Sequence, residues 1–191
     1  MWKILIKEKK KDNVTLKVNN FVHIGTMNTN NLISVIMPKP KLDLSEIPVT
    51  NEVKNNPLEI NIDNRKLIGH LINVGNPHIV FFNKISDNEL LNIGPKIENY
   101  KYFPDRVNVT FADIKDHENI EINVWERGAG KTLACGTAAC ASAYISIELN
   151  LAKNPVNIHF RNGHLQIKIN PNKTIIMTGP VSEKKEIEVK L

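Results

Sequence analysis

Residues 124–140 contain the side chains whose types and spacing are best suited to chemistry. An alternating apolar and polar stretch ends in Glu126-Arg127, a glycine-containing turn follows, and Cys135 directly precedes a run of small residues that begins with Gly136-Thr137. A helix starting there would leave its first N–H groups unpaired and carry partial positive charge beside the sulfur. We therefore predict that the pKa of Cys135 falls towards neutrality and that the helix start binds a carboxylate or phosphate.

Such a site would hold a base beside a bound anion, as proton abstraction next to a carboxylate requires. The alternative interpretation is that Cys135 is a small packing residue and that the glycines only form a turn. Cys140 is predicted to be structural, because it falls on the inner side of the same helix. The two cysteines lack a second ligand pair, so no metal site is predicted.

Three other segments contain residues that such a site could use. Gly75-Asn-Pro-His78 interrupts two apolar stretches and would hold an asparagine amide and a histidine ring at one end of a sheet. Taken alone, it is more typical of a turn that contains a satisfied histidine. Residues 103–109 place Asn108 at the start of another strand, and Met177-Thr-Gly-Pro180 is typical of a strand that ends in a turn.

The remaining sequence predicts the strands that position these residues. Alternation of apolar and polar residues is typical of half-buried strands, and it occurs at 14–18, 120–124, 156–160, 165–169 and 187–189. Arg161-Asn-Gly163, between two of these strands, indicates a hairpin.

Two helices interrupt the strands. A capping box, Ser86-Asp-Asn-Glu89, begins a short helix that we expect to end near Gly94-Pro95. The second helix runs over residues 136–151, and it must be buried on all sides because its first ten residues carry no charge. With about eight strands available, we predict an α+β fold in which a strongly curled, barrel-like mixed/antiparallel sheet wraps around one central apolar helix.

The composition excludes several other classes of protein. The 191 residues are 41% hydrophobic and 24% charged, which excludes a disordered chain. No apolar stretch is long enough to cross a bilayer, and two cysteines do not form a disulfide framework. The densest basic cluster, residues 7–11, lacks the interleaved aromatic side chains of a nucleic-acid platform. We therefore expect a cytoplasmic protein that binds neither membranes nor nucleic acid.

These segments, in this order and at these separations, resemble the C-terminal half of the diaminopimelate epimerase family. The matching landmarks are Gly75-Asn-Pro-His78, Arg106-Val-Asn-Val109, Trp125-Glu-Arg-Gly128, Thr132-Leu-Ala-Cys-Gly-Thr137, Arg161-Asn-Gly163 and Met177-Thr-Gly-Pro180. The resemblance extends from about residue 14 to the end of the chain. It implies one lobe of the two-lobed epimerase fold.

The resemblance also implies a reaction. Enzymes of this family use neither pyridoxal phosphate nor a metal, and they interconvert the LL and meso forms of 2,6-diaminoheptanedioate for lysine and peptidoglycan synthesis. Two cysteines act on opposite faces of the α-carbon, and Cys135 would be the acid/base of one face. His78 and Glu126 match residues that tune the thiol pKa. The substrate-binding residues, by the same resemblance, are Asn76, Asn108, Glu126, Arg127, Gly136 and Thr137.

The chain departs from the family pattern at several positions. Lys131 replaces an acidic residue and is expected to lower the pKa of Cys135 further, whereas Ala138 replaces a glycine without consequence. The second family cysteine lies in a Cys-Gly-Asn-Gly run, and no cysteine precedes Asn76 here. Because Cys140 is on the wrong side of its helix, we expect slow α-proton exchange from one face but no epimerisation by the chain alone.

These considerations predict three segments: residual strands of a truncated first lobe and hinge at 1–50, a C-terminal epimerase lobe at 51–180, and a returning strand at 181–191. The missing cysteine would come from a separately encoded N-terminal half, and an exposed apolar seam would favour self-association. Three alternatives remain open. These are a non-catalytic remnant or subunit of the same fold that needs a partner chain, a related cofactor-independent isomerase with another substrate, and a cysteine hydrolase that pairs Cys135 with His78.

Overall fold

The computed structural model describes Ile6, residues 12–18 and residues 21–181, and it contains an extended sheet and two helices. The predicted strand at 187–189, and nearly all of the segment 181–191, lie outside the described residues. The strands are β1 (Asn13–Val18), β2 (Phe21–Met27), β3 (Ile33–Met37), β4 (Leu58–Ile62), β5 (Arg65–Asn73), β6 (Pro77–Phe81), β7 (Asn108–Ile114), β8 (Asn119–Glu126), β9 (Gly130–Thr132), β10 (Val156–Phe160), β11 (Gly163–Ile169) and β12 (Ile175–Gly179). The helices are α1 (Asp87–Glu98) and α2 (Gly136–Glu148), with a 3-10 turn at Leu44–Glu46.

The strands form one open path rather than a closed barrel. Their order is β1-β2-β3-β12-β11-β10-β8-β7-β6-β5-β4, and β9 pairs with β8 beside this path. The α+β class and the mixed sheet are confirmed, because β6 pairs with β7 and β10 with β8 in parallel. The predicted barrel-like curl is not supported, since the two ends of the path, β1 and β4, do not pair with each other.

Two crossover connections cover both faces of the central strands. α1 connects the parallel strands β6 and β7, and α2 lies in the connection that leads from β8 to β10. The apolar side of α1 packs on one face of β4–β7 and the small residues of α2 pack on the other. All five residues of β6 are therefore buried, as expected for a strand covered on both faces. The sequence predicted the buried helix α2 but not the second covered face.

Most of the local predictions are confirmed. β1, β8, β10 and β11 contain the predicted strands at 14–18, 120–124, 156–160 and 165–169. The predicted hairpin joins β10 to β11, with Phe160 opposite Gly163, whose φ of +137° suits glycine. α2 ends at Glu148, three residues before the predicted end. Within the described residues, no helix is both long and apolar enough to cross a membrane.

α1 is longer than the sequence predicted. The capping box at its start is present, with the Ser86 and Glu89 side chains each bonded to the backbone of the other residue. The expected end near Gly94-Pro95 is wrong, because the helix continues past Pro95 to Glu98. A proline removes one backbone donor, but the buried side chains of Ile97 and Glu98 hold the following turn against the sheet.

The first strands join the same sheet as the rest of the chain. β3 pairs with β12, and a small separate core forms around Val14, Ile33 and Val35. The assignment of residues 1–50 to a remnant of another lobe stays a prediction. Val22, Ile24 and Ile36 are exposed on the opposite face of these strands, with Ile24 directly across from Ile36.

Candidate functional site

Three strand ends meet at one edge of the sheet and carry most of the predicted site residues. β6 and β7 run parallel, so their first residues lie side by side, with His78 opposite Asn108. β8 runs antiparallel to β7, which brings its last residue, Glu126, to the same edge. The first turn of α2 reaches this edge as well, because the Nδ2 group of Asn76 donates a hydrogen bond to Oγ1 of Thr137. Four elements therefore build one site.

Cys135 lies directly before the first turn of α2. It is the N-cap residue, with an extended backbone at φ −141° and ψ 112°. The first helical hydrogen bond runs from the N–H of Ala139 to the carbonyl of Cys135, so the N–H groups of residues 136–138 have no carbonyl partner in the helix. Gly136 packs against Met177, whose sulfur would lie 3.0 Å from an added Cβ. The predicted position of Cys135 at a helix start is confirmed.

A chain of hydrogen bonds connects Cys135 to the protein core. The sulfur of Cys135 lies 3.4 Å from Oγ1 of Thr137, and this oxygen accepts a hydrogen bond from Nδ2 of Asn76 at 3.4 Å. Oδ1 of Asn76 accepts in turn from Nε2 of His78 at 3.0 Å. Because the Thr137 oxygen already accepts a hydrogen bond, its own hydrogen is available to the sulfur. The chain thus favours negative charge on Cys135.

His78 is neutral in this position. Complete burial lowers its pKa to about 3, and the positive charge of Arg127 contributes to the decrease. Nε2 carries the proton that is donated to Asn76, and Nδ1 has no partner among the residues that the structure describes. His78 is therefore connected to Cys135 through Asn76 and Thr137, and it is not a nearby cation. This arrangement gives no support to the cysteine hydrolase, which needs His78 paired with the sulfur directly.

The prediction of a lowered pKa for Cys135 is wrong in direction. Only 7% of Cys135 is exposed, and this burial raises its pKa above the ordinary value. The hydrogen bond from Thr137 and the amide of Ala138 act in the opposite direction, whereas the carboxylate of Glu126 adds to the increase. Burial outweighs the helix start because the charged thiolate loses its water shell. Cys135 is therefore a thiol at neutral pH.

Lys131 does not act on Cys135 as predicted. Its ammonium group forms an ion pair with Asp87, in the first turn of α1, and Arg161 lies 3.9 Å from the same carboxylate. The charge of Lys131 is thus neutralised at the other helix. The sequence could not indicate this pairing, because 44 positions separate the two residues and only the fold brings them together.

Replacing Thr137 by valine should slow the alkylation of Cys135 by iodoacetamide by about fivefold at pH 8, since the thiolate loses a hydrogen bond worth roughly 1 kcal/mol. The measurement is the rate of labelling as a function of pH. Thr137→Ser keeps the hydroxyl and should label as the wild type does. An unchanged profile in Thr137→Val would show that the hydroxyl does not stabilise the thiolate.

Arg127 is held at the same edge by its backbone and its side chain. Its N–H donates to Oδ1 of Asn108 at 3.0 Å, and its Nη1 donates to the carbonyl of Asp105 at 3.1 Å. Nδ2 of the buried Asn108 donates to the carbonyl of Pro77 at 2.8 Å. Asn108 therefore connects the turn before His78 with the turn that contains Arg127. It retains one amide hydrogen and one oxygen lone pair for a ligand.

Glu98 is a residue at this edge that the sequence patterns did not indicate. It is only 5% exposed, and its carboxylate accepts hydrogen bonds from Trp125 Nε1, Gly128 N and Arg106 Nη1. The sequence did indicate that Glu98 is buried, because it lies four residues after Gly94 and therefore on the buried side of α1. Because the helix was expected to end near Gly94-Pro95, Glu98 was not placed on α1 and its burial was not predicted.

Cys140 is fully buried within α2, as predicted, and burial raises its pKa to about 12. It cannot act on a ligand held near Cys135, because it has no exposed surface. In the part of the chain that the structure describes, no group of three histidine, cysteine or acidic side chains could hold a metal ion.

Comparisons with known proteins identify the same family in two ways. A family model described as diaminopimelate epimerase matches residues 70–184. The chain is 43% identical to the diaminopimelate epimerase of Pelagibacter ubique, over 98% of this chain and 70% of that protein. It is 37% identical to the diaminopimelate epimerase of Bartonella quintana, over 82% of this chain and 56% of that protein. The chain thus spans between about half and 70% of the length of these relatives.

Solved structures show the fold. A hydroxyproline epimerase from Agrobacterium vitis matches with a TM-score of 0.63 and 12% identity, over 88% of this chain and 56% of that chain. A phenazine biosynthesis protein of the PhzF family from Bacillus anthracis matches with a TM-score of 0.60 and 14% identity, over 98% of this chain and 73% of that chain. At these identities the matches concern the architecture alone.

Proposed function

Because the chain belongs to the diaminopimelate epimerase family, we propose that it exchanges the proton at an α-carbon of 2,6-diaminoheptanedioate, with Cys135 as the acid/base of one face. The observation that carries this proposal is the position of the Cys135 sulfur beside the N–H groups of residues 136–138, which have no carbonyl partner in the helix. An α-carboxylate bound by these groups would place the α-carbon in front of the sulfur. No pyridoxal phosphate or metal takes part in the proposed reaction.

The start of α2 would stabilise the negative charge that develops on the substrate during proton transfer. When the α-proton leaves, negative charge moves onto the carboxylate as an enediolate. The N–H groups of Gly136 and Thr137, together with the helix dipole, are already oriented towards that position. They stabilise the transition state more than the bound substrate, because the charge on the oxygens increases during proton transfer.

Cys135 donates its proton in one direction of the reaction and accepts it in the other. Burial and the carboxylate of Glu126 keep the resting residue protonated, so it is prepared to return a proton to the carbanion. The resulting thiolate is then stabilised by the hydroxyl of Thr137, which Asn76 and the neutral His78 hold in place. The hydrogen bonds that connect His78 to Cys135 thus favour the thiolate, whereas the carboxylate of Glu126 favours the thiol.

The second amino-acid end of the substrate would bind at the turn after β8. A guanidinium group is suited to bidentate contact with a carboxylate, and Asp105 is the one described residue to which the Arg127 side chain donates a hydrogen bond. Glu126 offers a carboxylate for the ammonium group, while Asn76 and Asn108 supply amide donors and acceptors. A dicarboxylate with two amino groups matches this set of side chains.

The group that acts on the opposite face of the α-carbon would come from another polypeptide. Cys140 is the other cysteine of the chain, and it is buried with a pKa of about 12. We propose a separately encoded N-terminal half as its source. The exposed side chains of Val22, Ile24 and Ile36 on adjacent strands support contact with a further polypeptide, including a second copy of this chain. A cytoplasmic location is part of the proposal, since both cysteines are free thiols.

The purified chain should be incubated with LL-2,6-diaminoheptanedioate in deuterated water, with the α-proton signal followed by NMR and the meso form measured by chromatography. We expect slow deuterium incorporation without accumulation of the meso form, and we expect both once a polypeptide with the Cys-Gly-Asn-Gly run is added. Rapid conversion by the chain alone would contradict the need for a second polypeptide.

The same assay separates the competing functions. No exchange under either condition would favour a non-catalytic subunit. Exchange of trans-4-hydroxy-L-proline, but not of diaminoheptanedioate, would favour a related isomerase with another substrate. The architecture is compatible with that second candidate, because a hydroxyproline epimerase shares the fold. The acidic and basic pair Glu126 and Arg127 favours the substrate with a second amino-acid end.

A further inference from the structure

Glu98 is a buried acid that lies behind the proposed substrate-binding turn. Its Oε1 accepts hydrogen bonds from the N–H of Gly128 at 2.8 Å and from Nη1 of Arg106 at 3.2 Å. Its Oε2 accepts from Nε1 of Trp125 at 2.7 Å. All three donors belong to segments that surround Glu126 and Arg127, whereas Glu98 itself is the last residue of α1.

The two shorter hydrogen bonds of Glu98 come from the residues on either side of the proposed substrate-binding pair. Trp125 directly precedes Glu126-Arg127 and Gly128 directly follows it, and both donate to the same carboxylate. Gly128 has a φ of +77°, which glycine adopts without strain and which turns its N–H towards Glu98. One side chain therefore fixes both ends of residues 125–128, which are the last two residues of β8 and the first two residues of the turn that follows it.

The packing of α1 strengthens this connection. A Cβ added to Gly94 would lie 2.8 Å from Cδ2 of the Trp125 indole, so the helix backbone is in direct contact with the ring. The indole is thus held between Gly94 on one turn of the helix and Glu98 on the next. The position of residues 125–128 therefore depends on α1.

We propose that Glu98 is a positioning residue, which fixes the end of β8 and the turn that follows it so that Glu126 and Arg127 face Cys135. Its effect on substrate rests on the proposed function, whereas its effect on the turn does not. The carboxylate is needed because it is an acceptor at both oxygens. The amide of glutamine would present a donor to Trp125 or to Gly128, and one of the two hydrogen bonds would be lost.

The effect on the turn can be measured without substrate. In Glu98→Gln, the backbone amides of Arg127 and Gly128 should exchange with deuterium at least about tenfold faster than in the wild type, and the indole N–H resonance of Trp125 should shift. Glu59→Gln, at an exposed position of β4, is a matched control and should leave both signals unchanged. Unchanged exchange at Arg127 and Gly128 in a folded Glu98→Gln protein would overturn the proposal.

Trp125→Phe provides a second variant should Glu98→Gln not fold. It removes one of the three donors and keeps an aromatic ring against Gly94, so the exchange of Gly128 should increase by an intermediate factor. No increase at all would count against the role of the carboxylate.

A merely structural role is excluded by a double-mutant cycle with substrate. Glu98→Gln should raise the dissociation constant of diaminoheptanedioate about tenfold, measured by calorimetry on the full chain. In an Arg127→Ala background the same substitution should add less than about twofold, because Glu98 acts through Arg127.

The two proposals fail in different ways. If the wild type binds no diaminoheptanedioate, the proposed function fails, and amide exchange still decides the role of Glu98. If the wild type binds and Glu98→Gln weakens binding equally in both backgrounds, Glu98 does not act through Arg127 and the inference is wrong.

Discussion

Replacing Cys135 by alanine is expected to reduce α-proton exchange of diaminoheptanedioate by at least about a thousandfold, the range that a positioned general acid/base contributes. The thiol is the group that stands beside the unpaired N–H groups at the start of α2. His78 cannot replace it, because this residue is neutral and its Nε2 proton is donated to Asn76. The measurement is the rate of deuterium incorporation with and without the added polypeptide.

Cys140→Ala is the matched control for this prediction. It removes the same group five residues further along α2, where the side chain is fully buried, and should leave the exchange rate within a few-fold of the wild type. Retention of exchange in Cys135→Ala, or an equal loss in both variants, would show that the sulfur of Cys135 does not handle the proton.

The position of Cys135 was predictable from local sequence, because it depends on neighbouring residues. Alternation up to Glu126 indicated the end of a strand, and the uncharged run from Gly136 indicated the start of a buried helix. Both boundaries are confirmed. The turn before His78 was predictable for the same reason, since Gly75 and Pro77 favour a turn between two apolar strands.

The pKa of Cys135 could not be predicted in the same way. The helix start is a local feature and favours the thiolate, but burial depends on what packs over the residue. Met177 on β12 lies 42 positions after Cys135 and Glu126 lies at the end of β8, before an intervening turn, and both approach the start of α2 only in the folded chain. The sequence therefore indicated one contribution to the pKa and not the larger one.

The sheet topology and the role of Glu98 could not be predicted either, because both depend on contacts that form only in the folded chain. Parallel pairing of β6 with β7 requires the crossover through α1, and no pattern within either strand specifies its partner. Pro95 indicated the end of α1, although tertiary contacts of Ile97 and Glu98 extend the helix beyond it. The sequence thus predicted the residues of the site more completely than the framework that orients them.

Iodoacetamide should label Cys135 at least about a hundredfold faster than Cys140 at pH 8. The thiolate is the reactive form, and for Cys140, with a pKa of about 12, only about one molecule in ten thousand is thiolate at that pH. Cys140 is also fully buried, whereas Cys135 retains some exposed surface at the site. Mass spectrometry of the labelled peptides measures both rates. Cys135→Ala should abolish labelling, and Cys140→Ala should not.

The pH dependence of this labelling tests the cause of the raised pKa of Cys135. A thiolate forms as pH rises through the pKa, so labelling should increase with pH and lag behind that of a free cysteine. Glu126→Gln removes a negative charge that raises this pKa, and labelling should then begin at lower pH. Glu121→Gln, at an exposed position on the same strand, should leave the profile unchanged. Equal labelling of the two cysteines in the wild type would contradict the position of Cys135 at an accessible site, because the buried sulfur would then have to be as reactive as the one at the helix start.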